Sequence, residues 1–221
     1  MNWLHPAVDD LPTEFAVFPL PGALLLPRGR LPLNIFEPRY LAMVEDSLAN
    51  NRMFGMIQPN ENAPRDGHGP SLYRIGCLGR LSHFSETEDG RYLITLTGLA
   101  RFLVNQELPL RRGYRRIAAD YGPFHHDLAP APDDAVGHTL RAEILGALKP
   151  YFTAKDIDAN WDAVHALPDD MLVVTLGMLC PFDTAEKQAL LEAPTEADRA
   201  ADLLALLRMA VHEANGHHRA S

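Results

Sequence analysis

Several groups of side chains in this sequence have types and spacings that chemistry uses. His125-His126 and His217-His218 offer imidazoles for a metal, and Cys77 offers a thiol nucleophile. Arg111-Arg112 with Arg115-Arg116 offers guanidinium forks for phosphate or an acidic peptide. Met43, Met53 and Met56 offer a pliable apolar surface of the kind promiscuous binders use. Each also has a plainer reading. Adjacent histidines point apart, whereas a metal needs convergent ligands with outer partners, so both pairs read as surface residues. No His or Asp is placed beside Cys77 by spacing, and between Gly76 and Gly79 it reads as a core thiol. The arginines read as a solvated strand end and the methionines as core filling.

The strongest local signal is Asn34-Ile35-Phe36-Glu37-Pro38-Arg39-Tyr40. Pro38 stands where a first helical residue is expected, because its missing N–H has no partner to lose there. Glu37 is placed to cap the first N–H groups and to meet the positive end of the helix dipole. Arg39 is placed to reach a carboxylate or the carbonyls of neighbouring strands. Glu37 and Pro38 are therefore read as the structural part of the motif. Phe36, Arg39 and Tyr40, with Met53 and Met56, are the candidate substrate-binding residues.

Motifs of the common engines are missing from the sequence. The lysines are Lys149, Lys155 and Lys187, and none follows a glycine, so there is no Walker A loop. There is no Gly-x-Ser-x-Gly, no His-Glu-x-x-His and no Gly-x-Gly-x-x-Gly. His212-Glu213 has its next histidine at His217, the wrong spacing for two ligands on one helical face. The expectation is a non-enzyme with no catalytic residue, cofactor or metal.

The elements that must position these residues fall into two halves. Short apolar or alternating runs at Phe15–Leu20, Leu31–Phe36, Arg52–Gln58, Tyr73–Ser85, Tyr92–Thr97, Ala100–Asn105 and Tyr114–Tyr121 read as strands. In the sixth, Ala100, Phe102 and Val104 alternate with Arg101, Leu103 and Asn105. Gly76 and Gly79 mark bends or close approaches. One helix interrupts the strands, with Leu41, Val44 and Leu48 as its apolar stripe. Pro59–Ser71 is aperiodic and reads as a long mobile loop. Beyond a Pro- and Asp-rich connector over Gly122–Ala135, the period becomes helical. Helices are expected over Ala135–Tyr151 and Asp169–Cys180, then from Asp183-x-x-Glu186, and finally from Thr195-x-x-Asp198 with Ala200, Leu203, Leu204, Leu207 and Val211 as a stripe. The fold class is α+β: an antiparallel β barrel over 1–122 with one inserted helix, then a helical bundle over 123–221.

Composition narrows the function classes. Of 221 residues, 47% are hydrophobic, and the longest apolar runs fall well short of a membrane span, which needs about 20 residues. The N-terminus lacks the basic and apolar regions of a signal peptide. Two cysteines far apart make no disulfide framework, so both read as free, partly buried thiols of a cytoplasmic protein. Residues 1–122 hold 13 basic and 13 acidic side chains and residues 123–221 hold 7 and 16, so the net charge of −9 lies wholly in the second half. That balance argues against a broad nucleic-acid face.

Phe18-Pro19-Leu20-Pro21-Gly22, Leu24-Leu25-Leu26-Pro27 and Leu33-Asn34-Ile35-Phe36-Glu37-Pro38-Arg39-Tyr40 together resemble the N-terminal substrate-binding domain of Lon proteases. The resemblance continues through Phe54–Pro59, Gly76–Arg80, Asp89–Gly98, Pro181-Phe182 and Ala185–Gln188, and covers roughly 14 to 210 in order. It implies a PUA-like pseudo-barrel followed by a helical bundle. It also implies a free-standing recognition module, without the family's ATPase and Ser–Lys peptidase, that binds unfolded or tagged protein segments and serves as an adaptor or modulator for an AAA+ protease. The family supplies no catalytic residue to carry over. Two alternatives stand beside this expectation: a small-molecule sensor or uncharacterised enzyme, and an RNA-binding protein using Arg111–Arg116. No membrane partner is expected.

Overall fold

Alternation in the first half and helical spacing in the second produce an α+β chain. The structure, a computed structural model, describes residues 7–64, 69–129 and 137–219, with 138 and 215–219 as backbone only. It divides into two units, Met1–Pro130 and Ala131–Ser221. The division falls later than the 122/123 boundary read from the sequence. The His217-His218 pair, Val136 and most of the connector's second half lie outside the described side chains, as does the middle of the 59–71 loop.

The first unit contains β1 (Glu14–Pro19), β2 (Arg30–Ile35), α1 (Pro38–Leu48), β3 (Met53–Ile57), β4 (Ile75–Glu86), β5 (Tyr92–Arg111) and β6 (Tyr114–Asp120). The strands lie in the order β2-β5-β4-β3-β1-β6, and β6 also pairs with β5. The pairings thus return on themselves through β5 and leave β2 as an added strand, so the sheet is not a clean barrel. Nor is it wholly antiparallel: β1 and β3 run parallel, Val17 opposite Gly55. Parallel neighbours need a long crossover, and here β2 and α1 supply it. The two runs on either side of Gly98 form one strand of 20 residues, not two.

Gly98 explains why the two runs read as separate. A Cβ there would lie 2.0 Å from the Leu26 carbonyl oxygen. Without it, the Gly98 N–H donates to Gly29 (2.8 Å) and its carbonyl accepts from Arg28 (2.9 Å). The apolar run Leu24-Leu25-Leu26 is thereby buried without being a strand. The core of the unit gathers Phe15, Val17, Met53, Ile57, Leu78, Phe102, Ile117 and Tyr121. The Phe102 ring meets Phe15 edge-on at 5.1 Å and occupies the space a Cβ on Gly76 would need. The stripe of α1 sits one residue off the expected set, with Tyr40, Met43, Val44 and Ser47 buried.

Arg101, expected to alternate outward, is 1% exposed. Its Nε and Nη2 reach Asp127 at 2.9 and 2.8 Å, and its backbone N–H donates to the same carboxylate at 2.9 Å. The guanidinium also lies 4.6 Å over the Phe124 ring. A charge so buried is tolerated only with its partner present. The pair therefore ties the short helical turn Gly122–Leu128 to β5 and to the first unit.

The second unit holds α2 (His138–Ala154), α3 (Trp161–His165), α4 (Asp169–Leu179), α5 (Thr184–Glu192) and α6 (Glu196–Arg219). The α2, α4 and α5 helices pack on α6, whose Ala200, Leu203, Leu204 and Leu207 are buried. The Asp183 and Glu186 box closes reciprocally at 2.8 Å each way, and Thr195 with Asp198 closes likewise at 3.2 and 3.1 Å. The short α3, capped by Asn160 on Ala163 N–H at 3.1 Å, has no counterpart in the sequence reading because five residues carry too little periodicity.

Asp127→Ala leaves the buried Arg101 guanidinium without its carboxylate. Urea denaturation is expected to show a loss of about 3 to 5 kcal/mol, most of it recovered in the double variant Arg101→Met with Asp127→Leu. Equal stability of Asp127→Ala and wild type would remove this pair as a fastening.

Candidate functional site

The Phe36–Tyr40 motif turns β2 into α1. Pro38 opens the helix as expected, and the Glu37 carbonyl accepts from the N–H groups of Tyr40 and Leu41 at 2.9 Å. The Glu37 side chain does not cap. Its Oε2 instead accepts from Arg39 Nε and Nη2, both at 2.9 Å, in an exposed pair. The nearer charge wins: a guanidinium two residues away gives the carboxylate a stronger bond than a neutral backbone N–H would.

The five candidate residues separate by burial. Phe36 is 61% exposed, with the Arg91 guanidinium 5.7 Å from its ring. Tyr40, Met53 and Met56 are buried, the methionines within the packing of β3. Arg39 and Tyr40 nonetheless meet on one feature, a cleft of about 300 Å³ whose lining also includes Pro19, Pro21, Pro59, Pro70 and Leu110. Tyr114, Arg115 and Glu61 complete its polar edge. Prolines and paired side chains make these walls stiff, and Leu110 is a large apolar residue left exposed in them. The four prolines come from two sequence-distant segments, so no local pattern could assemble them.

The arginine cluster is spent internally. Arg112 reaches Glu45 (2.7 Å) and Asp46 (2.9 Å), and Arg111 reaches Asp46 (3.2 Å). Arg115 forks onto Glu107 (2.5 and 3.0 Å) and donates to the Pro70 carbonyl (2.6 Å), while Arg116 meets Glu14 (3.3 Å). The Arg111 and Arg112 contacts hold α1 against the β5–β6 hairpin. Its two-residue turn, Arg112-Gly113, has φ of 49° and 87°, the geometry that favours glycine and twists with the strands. Tyr114 adds a hydroxyl donated to Asp46 at 2.6 Å. That bond, with help from Arg112, holds the Asp46 carboxyl below its usual range; burial and the same bond push the Tyr114 hydroxyl up to about 12. Burial likewise raises Tyr40, with Arg39 and Arg115 opposing.

The other chemistry-bearing groups are not among the residues lining the cleft. Cys77 and Cys180 are buried thiols, and burial pushes Cys180 up to about 12. His125 and His126 stand edge-to-face at 5.7 Å, the first bonded to the Gly122 carbonyl and the second beside Arg101 and Asp127. Among the described residues no group of three His, Cys, Asp or Glu side chains could hold a metal ion. Among them, too, no helix is long and apolar enough to cross a membrane.

Comparison with known proteins agrees with this fold. The family model described as the ATP-dependent protease La (LON) substrate-binding domain matches residues 14–209. Lon protease 2 of Sorangium cellulosum is 28% identical over 85% of this chain and 23% of its own length. The Lon protease of Anaeromyxobacter dehalogenans is 25% identical over 43% of this chain and 11% of its own. This chain therefore spans a small part of the curated relatives it matches. A Lon N-terminal domain protein from Xanthomonas campestris superposes with a TM-score of 0.61 at 21% identity, covering 88% of this chain and 98% of that one. The N-terminal domain of the Mycobacterium avium complex Lon protease gives 0.60 at 17%, covering 90% and 98%. At those identities the likeness is one of fold.

Two outcomes follow from the side-chain pairings. Glu37→Ala, which removes an exposed ion pair and no cap, is expected to change stability by less than about 0.5 kcal/mol, where loss of a cap would cost about 1. Tyr114→Phe is expected to cost about 1 to 2 kcal/mol at neutral pH. A hydroxyl raised on folding stabilises below its unfolded value and loses that contribution as pH climbs through its folded one. Wild type should therefore lose stability from pH 10 to about 12 more steeply than Tyr114→Phe, as read by urea midpoints across that range.

Proposed function

The chain belongs to the family of the Lon (ATP-dependent protease La) substrate-binding domain, and on that premise we propose that it is a non-catalytic module that binds protein segments at the proline- and tyrosine-lined cleft of its first unit. The observation that carries this reading is the cleft itself. Stiff apolar walls lose little conformational freedom when a flexible ligand settles on them, and Leu110 already stands exposed there. Affinity is expected in the micromolar range, because an unfolded ligand must be ordered on binding.

The finer assignments belong to the same proposal. The ring of pairings through β5, β4, β3, β1 and β6 supports a PUA-like pseudo-barrel, and the packing of α2, α4 and α5 on α6 supports a helical bundle. We assign the module to the cytoplasm and to work alongside an AAA+ protease as adaptor or modulator, delivering unfolded or tagged segments. The pairing of all four arginines with carboxylates speaks against an RNA face, since counterions are displaced by unpaired basic groups.

Titration of the intact chain with a reduced, carboxymethylated unfolded protein and with its native form tests the reading by fluorescence anisotropy. The unfolded form is expected to bind at micromolar concentration and the native form not to bind. Leu110→Asp should weaken capture about tenfold by placing a charge in the apolar wall. Equal binding of folded and unfolded forms at high micromolar concentration would sink the proposal.

A further inference from the structure

We propose that the cleft receives the C-terminal end of a polypeptide, whose terminal carboxylate accepts from the Tyr40 hydroxyl and the Arg39 guanidinium. The inference rests on the reading of this chain as a protein-binding module and names the part of the client that the cleft takes.

Tyr40 lines the cleft yet is only 6% exposed. Its ring is fixed, 4.2 Å from that of Phe18 and 4.5 Å from the Arg39 guanidinium. Among the described residues its hydroxyl has no acceptor. In the same unit the buried hydroxyls of Tyr114 and Tyr121 each find one, on Asp46 at 2.6 Å and on the Pro12 carbonyl at 2.8 Å. The Tyr40 hydroxyl is not sealed off but opens on the cleft, where it is free to donate to a ligand acceptor.

Arg39 supplies the second donor. Its Nε and Nη2 both reach a single oxygen, Glu37 Oε2, and Nη1 has no acceptor among the described residues. The Arg39 guanidinium lies over the Tyr40 ring, 4.5 Å from its centroid, so both donors belong to one wall of the cleft and suit a carboxylate better than a carbonyl, because charge-assisted bonds are roughly twice as strong. Arg115 is already held by Glu107 and the Pro70 carbonyl, so it adds no further donor pull. Glu61, also on the cleft, disfavours a ligand with a second negative charge. One carboxylate followed inward by apolar residues fits this balance, with Pro19, Pro21, Pro59, Pro70 and Leu110 as the apolar surface. At about 300 Å³ the cleft lies at the lower end of ligand-pocket volumes and suits the tip of a chain more than a segment running through.

The test uses three fluorescein-labelled versions of one apolar peptide: the free acid, the C-terminal amide, and the amide with a Glu at the next-to-last position. In anisotropy titrations of the intact chain, the free acid is expected to bind about tenfold tighter than either amide. Tyr40→Phe, which keeps the ring, and the exposed-site variant Arg39→Gln should each bring the free acid down to the amide level at unchanged melting temperature. Equal binding of free acid and plain amide would overturn the inference and leave the protein-binding reading in place. A Glu-bearing amide as tight as the free acid would overturn it as well, by moving recognition to a side chain. Failure of all three peptides, with a chain that still captures the unfolded protein, sinks the inference alone; failure of both sinks the reading it rests on.

Discussion

Strand β5 must satisfy hydrogen bonds along two edges over 20 residues, and no single neighbour is long enough to do it. One edge is filled by β4 from Tyr92 to Leu103. The other carries β2 as far as Thr97 and β6 only from Leu103. The gap between them must be closed by something other than a strand, because unpaired backbone groups in the interior are costly. The Arg28-Gly29 loop serves Gly98, and the Asp127 carboxylate serves the Arg101 N–H. Two features that look unrelated in the chain thus answer one need: a glycine that admits a passing backbone, and a buried ion pair that recruits Gly122–Leu128.

Closing the sheet through β5 also decides where α1 can rest. The β5–β6 hairpin turns at Arg112-Gly113 and presents Arg111, Arg112 and Tyr114 to the carboxylate of Asp46 on α1. Three donors on one acid set the helix at a fixed register against the hairpin. Its first turn then lies beside Gly113, where a Cβ would come within 3.3 Å of that of Arg39. The cleft forms along this seam, so its shape depends on polar contacts that are individually weak at an exposed surface but act together on one helix.

The same contacts reassign the basic cluster. Four arginines within six residues look like an anion-binding face when only the chain is known, but their partners lie on Glu14, Glu45, Asp46 and Glu107, most of them far away in sequence. The donors on the cleft are instead Arg39 and Tyr40, two of the residues that sequence inspection had offered for substrate binding. Stiff proline walls around them favour binding of a short apolar tip, because little protein entropy is lost when it docks.

Local physics wrote much of this protein into its sequence. A short apolar run marks β1, period-two alternation marks β4 and β6, proline marks the start of α1, and the reciprocal boxes at Asp183 and Thr195 mark helix starts, since each depends on residues close to one another in the chain. The motif Phe36–Tyr40 stood out as well, and its Arg39 and Tyr40 do line the cleft. What the sequence could not decide was every outcome set by a distant competitor. Glu37 turned from cap to ion pair within its own motif, but Arg101 turned inward because Asp127 was there to meet it, and β1 lay parallel to β3 because α1 crossed over. Gly98 joined two runs because Leu26 passed beneath it. Periodicity is a property of neighbours in the chain, whereas burial of a charge or assembly of a cleft is a property of neighbours in space, and only the folded chain brings those together.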